Sequence, residues 1–253
     1  MNAVEMASDA DVEYPDSDGQ PMSDNTLQYE WIVALKGNLE LLFADRPDVF
    51  VAGDNLIYPV RGNNKVRQAP DVYVAFGRPK GHRGSYKVWA EGDVFPQVVF
   101  EVWSPGNRAG EMSRKRAFYR QYGAEEYYLI DPDDNVIEGW LKDGDTFREV
   151  ADTNGFVSPR LGVTFRTDGS ELAVFYPDGG RFLTFLEIGR LAEQRLREVE
   201  EAQKQAEQQK ARAEQEKARA EQEKIRADRQ QAENDRLRVL LRAAGIDPDR
   251  PAS

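Results

Sequence analysis

Apolar positions along the chain recur first at helical spacing. Leu27, Trp31, Leu35, Leu39 and Leu42 predict an amphipathic helix over 26–44, with Asp24 or Asn25 placed to cap it. Short, strand-like apolar runs follow at Val49–Ala52 and Leu56–Val60. Longer ones occupy 71–76 (Asp-Val-Tyr-Val-Ala-Phe) and 97–103 (Gln-Val-Val-Phe-Glu-Val-Trp). Between these two lies a loop with Gly77, Pro79, Gly81 and Gly84. After the turn Ser104-Pro105-Gly106-Asn107 the period returns to helical over 109–122, until Gly123 stops it. A strand at 126–131 ends at Pro132, and a hairpin follows from Val136–Leu141 and Thr146–Val150. Short strands or turns continue to about residue 185. Helix, strands, helix, strands reads as an α/β core with a central mixed sheet flanked by helices.

Beyond residue 187 the pattern changes. Residues 203–233 are built from seven-residue units such as Lys210-Ala-Arg-Ala-Glu-Gln-Glu and Lys217-Ala-Arg-Ala-Glu-Gln-Glu. Neither Gly nor Pro interrupts the stretch from Gly189 to Gly245. A long charged helix is expected, roughly 80 Å from end to end. The seven-residue period suggests a coiled coil, hence a homo-oligomer through this helix. One seam is apolar but small (Val199, Ala206, Ala213, Ala220, Ala227, Asn234, Leu241), and its partner seam is mostly polar (Gln209, Glu216, Glu223, Gln230). A solitary helix held by alanine propensity and pairs such as Lys210–Glu214 fits equally well. Four segments are therefore expected: a disordered acidic 1–24, a folded 25–186, a helical 187–245 and a flexible 246–253.

Composition removes several chemistries. The chain has no Cys and one His, so thiolate sites and ordinary zinc sites are excluded. A cysteine-free chain fits a reducing, cytoplasmic setting. No apolar run approaches the roughly 20 residues needed to cross a bilayer. The net charge of −11 argues against nucleic acid until its distribution is read. Residues 1–24 carry seven acids and no base, whereas 61–120 carry 12 bases and five acids. Within the basic segment Arg78, Lys80, Arg83 and Lys87 alternate with Tyr86 and Trp89, a pattern suited to phosphates and bases. A solvated hairpin tip is the alternative.

Three charges stand where apolar residues belong. Asp71 opens one strand after Pro70. Glu101 lies in a strand that is apolar on both faces, sharing its side with Val99 and Trp103. Lys115 shares a helix face with Glu111, Met112, Phe118, Tyr119 and Tyr122. Buried charges are costly unless paired. Two carboxylates brought together repel unless a cation neutralises them, and without His or Cys the hard oxygen donors point to Mg²⁺ or Mn²⁺. Glu111 could pair with Lys115, or the ammonium could reach a phosphate or a metal-bound water. For any one of these residues alone, an internal ion pair tying helix to sheet is the competing account.

The series Ala69-Pro70-Asp71-Val72-Tyr73-Val74, Val99-Phe100-Glu101-Val102-Trp103-Ser104-Pro105, Glu111-x-x-x-Lys115-x-x-x-Tyr119 and Tyr122-Gly123-Ala124-Glu125-Glu126-Tyr127-Tyr128-Leu129-Ile130-Asp131-Pro132 resembles the Uma2-type endonuclease family, a branch of the PD-(D/E)XK nuclease superfamily. The resemblance covers about 25–185. It implies a restriction-endonuclease-like core, metal ligation by Asp71 and Glu101, and phosphodiester hydrolysis, with DNA as the expected partner. The superfamily's usual lysine lies two residues after the second acid, where this chain has Trp103. By the family's pattern that lysine is Lys115, and Glu111 stands where many members have Asp. A non-catalytic nucleic-acid-binding or assembly module on the same fold is the rival, supported by the absent lysine at 103 and the long tail. A third reading is a scaffold whose function resides in the tail.

Overall fold

The computed structural model describes residues 12–17, 19, 23, 25–168 and 172–245. Most of the segment expected to be disordered, and all of 246–253, lie outside the described residues. The chain divides into two compact units, one ending at Ile188 and one beginning at Gly189.

The first unit opens with helix α1 (Thr26–Leu42), whose N-cap Asn25 accepts a hydrogen bond from the Gln28 amide. Strands β1 (Val49–Ala52), β2 (Ile57–Tyr58), β3 (Val72–Phe76), β4 (Tyr86–Lys87) and β5 (Val98–Val102) follow. Then come helix α2 (Ala109–Tyr122), strands β6 (Glu126–Asp131), β7 (Val136–Asp143) and β8 (Thr146–Glu149), and a hairpin of β9 (Thr164–Thr167) and β10 (Leu172–Phe175). Most of these elements coincide with the apolar runs of the sequence; β4 falls within the Gly- and Pro-containing stretch read as a loop.

Six strands form one sheet in the order β1-β3-β5-β6-β7-β8. All neighbours are antiparallel except β5 and β6, whose parallel pairing requires a crossover. That crossover is α2, so it packs across β5 and β6. Side-chain alternation then divides the core in two. Val72, Val74, Val98, Phe100, Val102, Tyr128 and Ile130 face α1 and the β9–β10 hairpin. Tyr73, Ala75, Val99 and Tyr127 face α2, joined by Tyr119 and Trp140. Glu101 belongs by alternation to this second face. The mixed α/β class read from the sequence is the one observed.

Two expectations need correction. The buried stripe of α1 is Gln28, Ile32, Leu35, Asn38 and Leu39, whereas Leu27 is 36% exposed. The predicted stripe was rotated because it counted only apolar residues. Gln28 and Asn38 lie inward because each finds buried backbone partners: Gln28 donates to the Val102 carbonyl, and Asn38 donates to the Leu183 carbonyl. Within the acidic N-terminal segment, Glu13, Tyr14 and Pro15 are docked against the body, through Tyr14 contacts with Tyr58 and Trp89. Charge composition underestimates order there because one aromatic residue supplies an anchor.

Helix α3 (Phe185–Ala243), 59 residues long, begins at the end of the first unit and makes up nearly all the described residues of the second. None of its residues is buried, and its larger apolar residues, among them Leu191, Leu196, Val199, Ile225 and Leu237, are exposed. Ion pairs such as Arg197–Glu193 and Arg219–Glu223 run along its surface.

Candidate active site

Strand register brings the two carboxylates together. Val72 pairs with Phe100 across the antiparallel β3–β5 ladder. One step further in the same register sets Asp71 opposite Glu101, with both side chains on the α2 face. Asp71 Oδ2 accepts a hydrogen bond from the Val102 amide at 2.6 Å, which fixes its carboxylate to the end of β5. Burial pushes the Asp71 carboxyl well above the usual carboxylate range, and Glu101 pushes it further; Lys115 offsets part of that.

Helix α2 supplies the counter-charge from above. Lys115 Nζ lies 2.8 Å from Glu101 Oε2, and the Tyr119 hydroxyl donates to Glu101 Oε1 at 2.5 Å. The four-residue spacing places both donors one turn apart on the helix face that meets β5. Glu101 is 1% exposed. Burial raises its carboxyl, while the Lys115 charge and the two hydrogen bonds pull it down. For Lys115, burial alone would lower the ammonium, but Glu101 and Asp71 together raise it, so it stays charged. Tyr119 is held as a neutral donor, pushed well above its ordinary value by burial and by Glu101. Lys115 thus pairs with Glu101 itself. Glu111, one turn earlier, acts on both through space, raising the carboxyl of the one and the ammonium of the other.

This donor set suits a hard divalent cation. Asp71 and Glu101 would be the two carboxylates available to such a cation, and among the described residues no third acidic, imidazole or thiol side chain joins them in a group that could hold it. Mg²⁺ is commonly held by one or two carboxylates while keeping several waters. Each carboxylate oxygen retains lone-pair capacity beyond the hydrogen bond it accepts here. A cavity of about 390 Å³ lies between α2 and strands β6 and β7, lined in part by Trp103, Met112, Arg116, Leu129 and Trp140; neither Asp71 nor Glu101 lines it. Trp103 occupies the position two residues after Glu101 and forms part of that wall.

Each of the four cations of the basic loop has a partner within the chain. Arg83 pairs with Glu91 at 2.6 Å, donates to the Pro79 carbonyl and lies 3.9 Å over the Phe50 ring. Lys80 donates to the Phe43 and Ala44 carbonyls at the C-terminal end of α1, a position that favours a cation. Arg78 donates to the Glu91 carbonyl. Lys87 sits over the Tyr14 ring at 5.3 Å. These four cations brace loops and a helix end, which a count of charges along the chain does not reveal.

Two neighbours of the site were not singled out from the sequence. The Gln28 side-chain amide donates to the Val102 carbonyl at 2.9 Å, so the backbone of Val102 is held at both its N–H and its C=O. A polar residue four positions before Ile32 and seven before Leu35 was the available signal. Gly53 passes so close to the Asp71 carbonyl that a Cβ there would overlap it, and the adjacent Asp54 amide donates to the Pro70 carbonyl at 3.0 Å. No local pattern marks this contact, because the two segments meet only through the tertiary fold.

The profile of the Uma2 family, described as "Putative restriction endonuclease", matches residues 3–178. The chain belongs to the Uma2 family. Among solved structures, this Uma2 chain is similar to one described as a putative nuclease belonging to DUF820 from Anabaena variabilis ATCC 29413. The two share 11% identity over 55% of this chain and 74% of that one, with a TM-score of 0.43. Among curated proteins none matches. Among the described residues no helix is long and apolar enough to cross a membrane.

Proposed function

We propose that this Uma2 protein is a divalent-metal-dependent endonuclease that hydrolyses phosphodiester bonds of DNA. The observation that carries the proposal is the buried Asp71–Glu101 pair with Lys115 and Tyr119 closing on Glu101. A structural ion pair needs one acid. The second acid, set beside the first by strand register, adds repulsion that a bound cation would relieve. Bound there, Mg²⁺ or Mn²⁺ would supply Lewis-acid activation of the phosphoryl group and of an attacking water.

The remaining roles belong to the chain. Asp71, fixed by the Val102 amide, and Glu101, fixed by Tyr119, present oxygens in a set geometry. Lys115 carries the positive charge, and its helix position lets it face charge developing on the phosphate. Glu111 biases Lys115 towards its charged form.

The test is cleavage of supercoiled plasmid with Mg²⁺ or Mn²⁺, alongside calorimetric metal titration, for wild type, Asp71→Asn and Glu101→Gln. Loss of both metal binding and nicking in folded variants supports the reading. Nicking retained in both variants overturns it. The non-catalytic reading draws on one observation: Lys115 and Tyr119 already occupy both Glu101 oxygens. That reading expects a folded wild type that binds DNA and neither binds metal nor nicks.

A further inference from the structure

The acidic N-terminal segment is more than a linker. Tyr14 lies edge-on to Tyr58 at 5.1 Å and tilted against Trp89 at 5.0 Å, with Lys87 Nζ 5.3 Å from its ring. Among the described residues, hydrogen bonds from the body to the arm hold Glu13, Tyr14 and Pro15. The Tyr58 hydroxyl donates to the Pro15 carbonyl at 2.7 Å, the Gly62 amide to the Tyr14 hydroxyl at 2.5 Å, and the Asn64 amide to the Glu13 carbonyl at 2.8 Å. The Asp16 carboxylate rests against Gly84, in the space that a side chain at that position would take.

The face beneath the arm therefore presents two aromatic rings, three donors and a cation. The arm presents to it a ring, acceptor oxygens and a carboxylate. Aromatic rings flanked by donors and cations are what single-stranded nucleic acid uses, through base contacts and phosphates. Gly62 and Asn64 lie in the connection that runs from β2 into Asp71. The charges match as well: seven acids without a base in 1–24, against an excess of seven bases in 61–120.

Resting on the nuclease reading, we propose that the Tyr58–Lys87–Trp89 face is a single-stranded nucleic-acid contact surface which the chain's own acidic arm occupies in the free protein. The arm competes with the strand for the same rings and donors. Displacing it is then a condition of strand binding at this face.

The experiment measures anisotropy of a fluorescein-labelled single-stranded oligodeoxynucleotide in EDTA, with full-length wild type, Tyr14→Ala and Tyr14→Ala/Trp89→Ala. Tyr14→Ala is expected to bind about tenfold tighter, the scale of one freed aromatic contact, and Trp89→Ala to cancel the gain. Equal or weaker binding by Tyr14→Ala, or no binding by either protein, overturns the proposal. So does a gain that survives Trp89→Ala. Binding of an acidic peptide, but not of the oligonucleotide, overturns it in favour of a protein partner. If Tyr14→Ala fails to fold by near-ultraviolet circular dichroism, Glu13→Gln/Asp16→Asn keeps the ring contacts and is expected to show a smaller gain; no gain there overturns the proposal. Plasmid nicking is scored separately. Nicking without an arm effect defeats only this inference, and an arm effect without nicking defeats only the nuclease reading.

Discussion

Gln28 and Val102 are joined across 74 positions of sequence by a buried hydrogen bond of 2.9 Å from the Gln28 amide to the Val102 carbonyl. The same residue donates its backbone N–H to Asp71. The first turn of α1 therefore sets the position of a catalytic candidate that it does not touch. Gln28→Leu leaves the carbonyl buried without that donor, a cost of about 1–3 kcal/mol. Urea denaturation is expected to show the loss. Metal affinity, measured by calorimetry, is expected to fall with it, because the end of β5 whose Val102 N–H orients Asp71 is loosened. Unchanged metal affinity in a destabilised variant would confine Gln28 to packing.

Lys115→Met tests the charge balance of the site. Glu101 is 1% exposed, and Lys115 is its ion-pair partner. Removing one partner of a buried pair leaves the other charge uncompensated, typically a loss of about 3–5 kcal/mol. Glu101 can escape part of that by taking up a proton, so the loss is expected to be smaller at pH 5 than at pH 8. Chemical denaturation at the two values checks this. A loss that does not depend on pH would mean that Asp71 and Glu101 already share a proton in the wild type.

A second buried acid, remote from the site in sequence, gives a stability signature. Glu126 is 2% exposed and accepts hydrogen bonds from the Tyr128 and Ser158 hydroxyls and the Arg160 amide. Burial raises its carboxyl above the ordinary 4.5, and these three donors offset only part of the rise. The folded chain therefore holds this proton more tightly than the unfolded chain. Its contribution is fully present below the unfolded value and is lost as pH rises through the folded one. Glu126→Gln is expected to flatten the decline of stability with pH above 4.5, relative to wild type. Asp71 and Glu101 act in the same direction, so a residual slope should remain. Parallel slopes in wild type and variant would count against a perturbed Glu126.

The helix α3 makes a separable prediction. No residue of it is buried, and the second unit begins at Gly189. Its anchoring turn is held earlier, where Asn38 bonds to Leu183 on both its donor and acceptor sides. A chain ending at Arg190 is expected to melt within about 2 °C of the first unit in the full protein. Sedimentation equilibrium of the full chain decides between the coiled coil and the solitary helix read from its heptads. The polar partner seam leads to the expectation of a monomer at micromolar concentration, which a stable dimer would contradict.

The strands were legible because each is an apolar run bounded by Gly, Pro or Asp, and because alternation alone placed Glu101 beside Val99 and Trp103. Lys115 was legible from helical spacing. What the sequence could not show is which charges meet. Lys115 selects Glu101 rather than Glu111 because the α2 crossover lowers it onto β5, a consequence of the parallel β5–β6 pairing. Pairing within the basic loop is hidden for a related reason: Arg83 and Glu91 are eight residues apart, and only folding reveals that they neutralise each other. Gln28 was hidden because a polar side chain facing inward looks like a defect in an apolar stripe until its backbone partner is known.

The four tryptophans, Trp31, Trp89, Trp103 and Trp140, all precede the long helix, and none lies within it. Indole emission therefore reports on the first unit alone, whereas far-ultraviolet ellipticity is dominated by the 59 residues of α3. A helix sustained by local propensity loosens gradually on heating, while a packed core gives way over a few degrees. The same molecule should present two thermal profiles that do not superimpose, and a transition midpoint read from ellipticity would describe the wrong part of it.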